Sequence, residues 1–265
     1  MKFEKVLITG GSRGIGRQLV KIFLNKGSEV HAISRNFHDE FDSPQFKFHS
    51  LDLSNTNETS FFAKNFIKKY GVPDLLINNA GEGAFYEWHS FPEDDIQKQI
   101  NLLFTAPVLL CRLFAPHMTE SGKGKIVNIT SLATIFPVPF MPIYNSCKSA
   151  LSSFSRSMQL EYQSKQVFID VILGDVKTDF NEKLRRSSSN HWAESTKIAW
   201  SQVKKQLDES PTPDLIAKRL VSKIYKSSGG IVYEGGWTQR VIYSRLGQLL
   251  PSFLKNIILQ RRYFN

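Results

Sequence analysis

The sequence predicts an α/β protein, with one doubly wound parallel sheet covered by helices on both faces. Short runs rich in β-branched and apolar residues alternate with longer amphipathic runs over most of the chain. Neighbouring parallel strands need crossover helices of this kind, and those crossovers are right-handed. No Pro- or Gly-rich linker divides the 265 residues, so we predict a single domain over 1–265.

Each predicted strand is a short apolar run, and each predicted helix has apolar residues at three- and four-residue steps. The first half contains KVLIT, a helix over 14–26, EVHAIS, FKFHS, a helix over 57–69, DLLIN and a helix over 94–117. The second half contains KIVNIT, a helix over about 142–164, VFIDVIL, a helix over about 213–226 and GIVYE. Two stretches lie outside the alternation: 180–212, which includes the loop-like RRSSSN at 185–190, and the tail from about 235 to 265.

Composition limits the classes of function. The net charge of +10 favours anionic partners, such as phosphate-bearing cofactors, nucleic acid or acidic membrane surfaces. Cys111 and Cys147 lack a CxxC spacing, so we interpret both as reduced thiols of a cytoplasmic protein. The first residues contain no apolar stretch long enough for a signal peptide or a membrane span, which argues against secretion. The six histidines show no ligand spacing, and we predict no metal site.

A glycine-rich turn follows the first strand, where ligands of such sheets bind. TGGSRGIG spans 9–16 and leads directly into the first helix. Glycines let the backbone turn sharply and approach a pyrophosphate, whose charge the helix N-terminus stabilises. The predicted cofactor-binding residues in this turn are Gly10, Ser12, Arg13, Gly14, Ile15 and Gly16. The alternative is a tight strand-to-helix connection without a ligand.

The end of the second strand indicates which dinucleotide binds. Ser34 stands where a carboxylate would hold the adenosine ribose, and Arg35 follows it. Together with Arg13, the Arg35 guanidinium could flank a 2′-phosphate, because guanidinium groups match phosphate oxygens. This favours NADP(H) over NAD(H). The alternative is that both arginines are solvated surface residues.

The segment PIYNSCKSAL places Tyr144 and Lys148 four residues apart on a predicted helix, so both project from one face. A free tyrosine has a pKa of about 10, too high for efficient proton transfer near neutrality. A nearby ammonium favours the phenolate, so we expect Lys148 to lower the pKa of Tyr144. Cys147, beside Lys148, is interpreted as a small buried helix residue rather than a redox switch.

Four motifs in order resemble those of the short-chain dehydrogenase/reductase family, which has a Rossmann-like fold, from about residue 5 to residue 233. They are TGGSRGIG, NNAG at 78–81, Ser131 in VNITS, and YNSCK. The resemblance implies that Tyr144 is the catalytic acid or base and that Lys148 also holds the nicotinamide ribose. It further implies that Ser131 binds the reacting oxygen and that Asn101 holds a water linking Lys148 to solvent.

The same resemblance implies further cofactor contacts: Asp52 and Leu53 beside the adenine, Asn79, Ala80 and Gly81 of NNAG, and Gly174, Val176 and Thr178 after the sixth strand. One departure stands out. The family commonly carries Pro-Gly after that strand, whereas LGDVKTDF has Leu173 in place of the proline. We expect cofactor binding to survive, because the glycine and the threonine remain.

The predicted function is an NADP(H)-dependent oxidoreductase that interconverts a carbonyl and a secondary alcohol. The lid region 180–212 offers Phe180, Leu184, Trp192, Ile198 and Trp200, which suits a mainly apolar substrate such as an acyl, lipid or steroid-like one. The alternative is a lid packed on its own domain. A non-catalytic NADPH-sensing or scaffold protein of the same fold is the rival function. A nucleic-acid-binding protein would explain the charge, but no binding motif is present.

The tail is basic and apolar. Residues 237–265 contain no acid and include Arg240, Arg245, Lys255, Arg261 and Arg262, while Ile242, Leu246, Leu249, Phe253 and Ile257 recur at helical steps. One interpretation is a segment that docks over the substrate entrance or a subunit interface, and we favour it. The other is an amphipathic anchor on anionic lipid. We also expect a homo-oligomer.

Overall fold

The computed structural model describes residues 2–37, 41–122, 124–163, 167–178, 184–188, 192–243, 247 and 249–264. The described strands are β1 (Lys5–Thr9), β2 (Glu29–Ser34), β3 (Phe46–Ser50), β4 (Leu75–Asn78), β5 (Ala84–Phe85), β6 (Lys125–Ile129), β7 (Val167–Leu173), β8 (Arg185–Arg186) and β9 (Gly230–Glu234). The helices are α1 (Gly14–Asn25), α2 (Thr56–Tyr70), α3 (Glu93–Ile100), α4 (Ala106–Glu120), α5 (Pro142–Tyr162), α6 (Glu194–Asp208), α7 (Pro213–Lys226) and α8 (Ser252–Phe264).

The predicted α/β fold is confirmed. Seven strands form one parallel sheet in the order β3-β2-β1-β4-β6-β7-β9. The chain builds outward from β1 through β2 to β3 and then crosses back to place β4 on the other side of β1. The strand order therefore reverses between β1 and β4, and the loops that follow these strands separate and leave a crevice.

The sheet is buried between two helical layers, which explains its nearly continuous apolar strands. On one face α1 and α7 cover it, with Leu19, Phe23 and Leu220 fully buried. On the other face α2 and α4 contribute Phe66 and Phe114. Buried side chains of this size each contribute about 1.5–3 kcal/mol relative to exposure, so the two layers fix the sheet on which the site is built.

The helical stretch Glu93–Glu120 contains a π-helical turn near the crevice. Between α3 and α4, residues Asn101–Thr105 form a π-helical turn, in which the Ala106 N–H donates to the Asn101 carbonyl. The continuous stretch Glu93–Glu120 is long and apolar enough to cross a membrane by length and composition, properties that it shares with core helices. Here Leu110 and Phe114 are buried against the sheet.

The two stretches outside the alternation form a separate layer. Arg185–Arg186 were predicted to lie in a loop, but they pair with Ala84–Phe85 in a two-stranded parallel ribbon. The ribbon forms because Arg185 is held by carboxylates on the neighbouring segment, a tertiary contact that local sequence does not reveal. Helices α6 and α8 complete the layer. Phe180 of the predicted lid and Arg245 and Leu246 of the predicted tail lie outside the described residues.

Candidate active site

A cleft of about 710 Å³ lies at the carboxyl ends of the strands and brings the predicted site residues together. The predicted residues that line it are Gly10, Ser12, Arg13, Gly14, Ile15, Gly16, Ser34, Arg35, Asp52, Leu53, Asn79, Ala80, Gly81, Ser131, Tyr144, Lys148, Gly174, Val176 and Thr178. Asn101 does not line it. Residues from six strand ends thus meet because parallel strands all finish at one edge of the sheet.

The glycine turn packs too tightly for side chains. A Cβ on Gly10, whose φ is +68°, would lie 2.8 Å from the Ala80 Cα, and a Cβ on Gly16 would lie 2.1 Å from the Gly10 carbonyl oxygen. Helix α1 then begins without a side-chain cap and without an acidic residue in its first turn. Its first N–H groups and the positive end of its dipole therefore face the cleft, which suits an anionic pyrophosphate.

The NNAG segment fastens β4 to the glycine turn. The Thr9 hydroxyl oxygen accepts hydrogen bonds from the backbone N–H groups of Asn79 and Ala80, both at 2.9 Å. The Asn79 side-chain amide donates to the carbonyls of Thr9 and Gly10 at 3.0 and 3.3 Å. These contacts hold the two strand ends on either side of the switch point at a fixed separation.

The proposed catalytic side chains come from two adjoining elements. Ser131 follows β6, and Tyr144 and Lys148 lie one turn apart on α5, which begins at Pro142. The Ser131 and Tyr144 hydroxyls share a hydrogen bond. The Lys148 ammonium donates to the Ile129 carbonyl at 2.7 Å and lies 5.9 Å from the centre of the Tyr144 ring. The three groups therefore converge on one part of the cleft.

The expected lowering of the Tyr144 pKa by Lys148 is wrong. Desolvation raises the pKa of the Tyr144 phenol above its usual value, and the hydrogen bond from Ser131 offsets only part of this effect. The carboxylate of Asp175 raises it further. The same burial lowers the pKa of Lys148 to about 8. The Lys148 ammonium is directed at a backbone carbonyl, so its charge does not outweigh desolvation at the phenol.

A buried carboxylate lies behind Lys148. Asp170 on β7 accepts hydrogen bonds from the Thr130 and Ser152 hydroxyls at 2.6 and 2.5 Å. Burial raises the pKa of Asp170, whereas these hydrogen bonds and the charges of Arg156 and Lys148 lower it. In return, Asp170 partly offsets the desolvation of Lys148. Asp170 could not be recognised from the sequence, because a single acid within a strand carries no motif.

Asn101 is held away from the cleft. Its side-chain oxygen accepts from the Gln97 amide at 2.9 Å, and its amide donates to the Ser54 carbonyl at 3.0 Å. Its backbone carbonyl is used by the π turn. The side chain therefore stabilises the π-helical turn between α3 and α4, and the predicted water link to Lys148 stays a prediction.

At the adenosine end, Arg35 reaches across the cleft. Its Nη2 lies 3.3 Å from a carboxylate oxygen of Glu82, and its side chain is 60% exposed. Glu82 also pairs with Arg185 on β8, which in turn pairs with Asp95. Because the Arg35 side chain is mostly in solvent, this ion pair contributes little, about 0–1 kcal/mol, so Arg35 can exchange Glu82 for another anion.

The loop after β7 is held by the tail, a contact that was not predicted from the sequence. The Gln239 side-chain oxygen accepts from the backbone N–H of Asp175 at 3.0 Å and of Gly236 at 3.3 Å. Its amide donates to the Asp175 carboxylate at 2.5 Å. A Cβ on Gly174 would lie 2.2 Å from that Gln239 oxygen. Gln239 thus stabilises the loop in which Leu173 replaces the family proline. No local pattern marks a glutamine for this role.

The lid supplies the apolar end of the cleft, but not through the residues predicted. Leu184 and Trp192 are buried in a cluster with Phe85, and Trp200 packs against that cluster. The lid therefore has an apolar centre of its own, which was the alternative interpretation. The apolar residues that reach the cleft from this side are Val138, Met141, Val203, Leu207 and, from α8, Tyr263. Ile198 is half-buried on α6 and does not line the cleft.

Comparison with known proteins identifies the class to which this fold and cleft belong. Residues 4–189 match the family described as short chain dehydrogenase, and the chain belongs to this family. The family uses NAD(H) or NADP(H).

Among relatives, the chain is similar to an uncharacterized oxidoreductase of Schizosaccharomyces pombe, 33% identical over 198 residues. The match covers 72% of this chain and 65% of that relative, so the chain spans less than two thirds of its length. A very-long-chain 3-oxoacyl-CoA reductase of Macaca fascicularis is 28% identical over 263 residues, covering 95% of this chain and 77% of the relative. A short-chain dehydrogenase structure from Streptomyces avermitilis superposes with a TM-score of 0.81 at 20% identity, covering 98% of this chain and 97% of that one.

Proposed function

We propose that the protein is an NADP(H)-dependent oxidoreductase that interconverts a carbonyl group and a secondary alcohol on a mainly apolar, acyl- or lipid-like substrate. The observation that carries this proposal is the hydrogen bond between Ser131 and Tyr144 in the cleft, with Lys148 one helical turn beyond. A dinucleotide-sensing scaffold would need the glycine turn alone, and nothing in such a role would require these three side chains to converge.

Each side chain has a chemical role that follows from its position. The nicotinamide cofactor, when bound, supplies or accepts the hydride. In reduction Tyr144 donates its hydroxyl proton to the carbonyl oxygen, and the raised pKa keeps that hydroxyl protonated at neutral pH. Ser131 donates a hydrogen bond to the same oxygen as negative charge develops on it. In oxidation the Tyr144 phenolate takes the alcohol proton and becomes the neutral phenol. Lys148, beneath it, stabilises the phenolate electrostatically before that transfer.

The residues of the cleft fit a dinucleotide. The close-packed Gly10 and Gly16 and the uncapped start of α1 suit its pyrophosphate. Arg35 and Arg13 line the adenosine end, and no carboxylate stands at Ser34, whose hydroxyl donates to the Asn36 carbonyl. A 2′-phosphate offers Arg35 a stronger, doubly charged partner than Glu82 does. This charge arrangement supports NADP(H) rather than NAD(H).

Titration of both cofactors into the purified protein tests the cofactor preference. We expect NADPH to bind at least about 10-fold more tightly than NADH, and we expect Arg35→Ala to lower this ratio of affinities. Arg112→Ala, which removes an exposed arginine on α4, serves as the matched control and should leave the ratio unchanged. Equal affinities in the wild type would refute the preference.

Oxidation of NADPH in the presence of a ketone panel tests the substrate class. The panel compares long-chain 3-oxoacyl thioesters with short soluble ketones. The apolar side chains around Met141, Val203 and Tyr263 support a higher kcat/KM for long acyl chains. A preference for small polar ketones would contradict the lipid-like substrate and leave the carbonyl chemistry intact. Absence of turnover with every ketone would favour the scaffold function instead.

A further inference from the structure

Helix α8 has two different faces. Its inner face packs on the lid: Tyr263 is 5% exposed in the cluster with Trp192, and Leu259 packs against the same cluster. Arg262 on this side donates to the Gln206 side-chain oxygen at 2.7 Å and lies 3.5 Å from the Asp175 carboxylate. The inner face therefore docks the tail on the domain.

The outer face of α8 is apolar and exposed. At 100° per residue, one continuous arc of the helix carries Phe253, Leu254, Ile257, Ile258 and Phe264. Phe253 is 64% exposed and Ile257 is 43% exposed, and the other three are also exposed. Five large apolar side chains on one exposed arc are unusual for a surface helix, and such patches mark interaction sites.

The charge around this arc indicates what covers it. Arg261 projects from the middle of the arc, and residues 237–265 contain no Asp or Glu. Two copies of this chain meeting through the same face would bring positive charges together, which disfavours a second copy as the partner. An apolar arc with an arginine at its centre fits the boundary between headgroups and acyl chains of an anionic bilayer, where guanidinium groups meet phosphate.

We propose that the outer face of α8 lies on an anionic lipid surface while its inner face stays docked on the lid. The apolar arc enters the interfacial layer, and Arg261 contacts the anionic headgroups. Docking and membrane contact are thus properties of opposite faces of one helix. The proposal does not depend on the activity, because lipid binding needs neither cofactor nor substrate.

Sedimentation of the full-length protein with lipid vesicles tests this proposal. We expect binding to vesicles of phosphatidylcholine with phosphatidylserine, and binding weaker by about 10-fold or more to phosphatidylcholine alone. Higher salt should weaken binding to the anionic vesicles, because part of the attraction is screened. Ile257→Glu should reduce binding by about 10-fold or more, since it adds a negative charge to the arc. Arg261→Gln should reduce it about 5-fold, the loss expected for one basic residue near an anionic surface.

Phe61→Glu on α2 is the matched control, because it adds the same charge at an exposed apolar site outside the tail. It should leave vesicle binding unchanged, and both Glu variants should keep the wild-type melting temperature. Failure of the wild type to bind anionic vesicles would overturn the proposal, as would equal losses in the two Glu variants. A dimer in size-exclusion chromatography that Ile257→Glu dissociates, without vesicle binding, would assign the face to a second copy.

Discussion

The proposed chemistry depends on the hydroxyl group of Tyr144. Tyr144→Phe removes the proton that reduction requires while keeping the ring in place, so we expect carbonyl reduction to fall by about 10²–10⁴-fold. Cofactor affinity, measured by titration, should change little. Tyr162→Phe, near the far end of the same helix, is the control and should retain turnover. Near-normal turnover of Tyr144→Phe would exclude Tyr144 as the acid.

Lys148 makes stability depend on pH in a calculable direction. Burial lowers its pKa from 10.5 to about 8. Between these two pH values the unfolded chain holds a proton that the folded protein has released. The contribution of Lys148 to the free energy of unfolding therefore increases as pH rises. Between about pH 8 and pH 10 the free energy of unfolding of the wild type should therefore rise by on the order of 1–3 kcal/mol relative to that of Lys148→Met. Urea unfolding of both proteins at several pH values measures the difference, and a pH-independent difference would contradict it.

At the scale of elements, the tail and the loop after β7 act as one unit through Gln239. Gln239→Ala removes the hydrogen bonds to Asp175, so the loop should lose its fixed position. We expect cofactor affinity to fall about 10-fold, the effect of one to two net hydrogen bonds. Gln260→Ala, at an exposed glutamine of α8, is the control and should not change that affinity.

A double-mutant cycle separates this positioning role from a general loss of stability. Gly174→Ala places a Cβ against the Gln239 side chain, so it should weaken cofactor binding in the wild type. In the Gln239→Ala background the two closest atoms are gone and only the side-chain Cβ, at 3.3 Å, remains, so the same substitution should reduce cofactor affinity less. Additive losses in the cycle would show that Gln239 does not position the loop.

On the scale of the whole molecule, the lid and the tail form one wall of the cleft. Tyr263→Ala should cost about 2–4 kcal/mol in the free energy of unfolding, because it removes a buried aromatic ring from the lid cluster. Phe264→Ala, next in sequence but 38% exposed, should cost well under about 1 kcal/mol. Tyr263 also lines the cleft. The Tyr263→Ala variant should therefore raise the KM of long-chain ketones more than that of short ones, and equal changes would contradict a substrate-facing role.

The amino-acid sequence by itself determined the sheet, its crossover helices and most of the cleft. Strands and helices have local periods, and the glycine turn and the Tyr144–Lys148 pair have short spacings that carry their own geometry. Because parallel strands end at one edge, placing the motifs at strand ends was enough to bring them together. The role predicted for Asn101 stays a prediction, and the hydrogen bonds of its side chain with Gln97 and Ser54 at the π-helical turn could not be derived from motifs at strand ends.

Only the tertiary structure decided the long-range contacts, the direction of the Tyr144 pKa shift and the orientation of the tail. Gln239 reaches Asp175 across 64 positions, and Arg185 reaches Asp95 across 90, so neither pair leaves a local pattern in the sequence. The direction of the Tyr144 pKa shift was also beyond the sequence, because it depends on the balance between burial and a nearby charge. The tail shows the same limit. Its helical period predicts an amphipathic segment, but only packing decides that Tyr263 faces the lid while Phe253 faces outward.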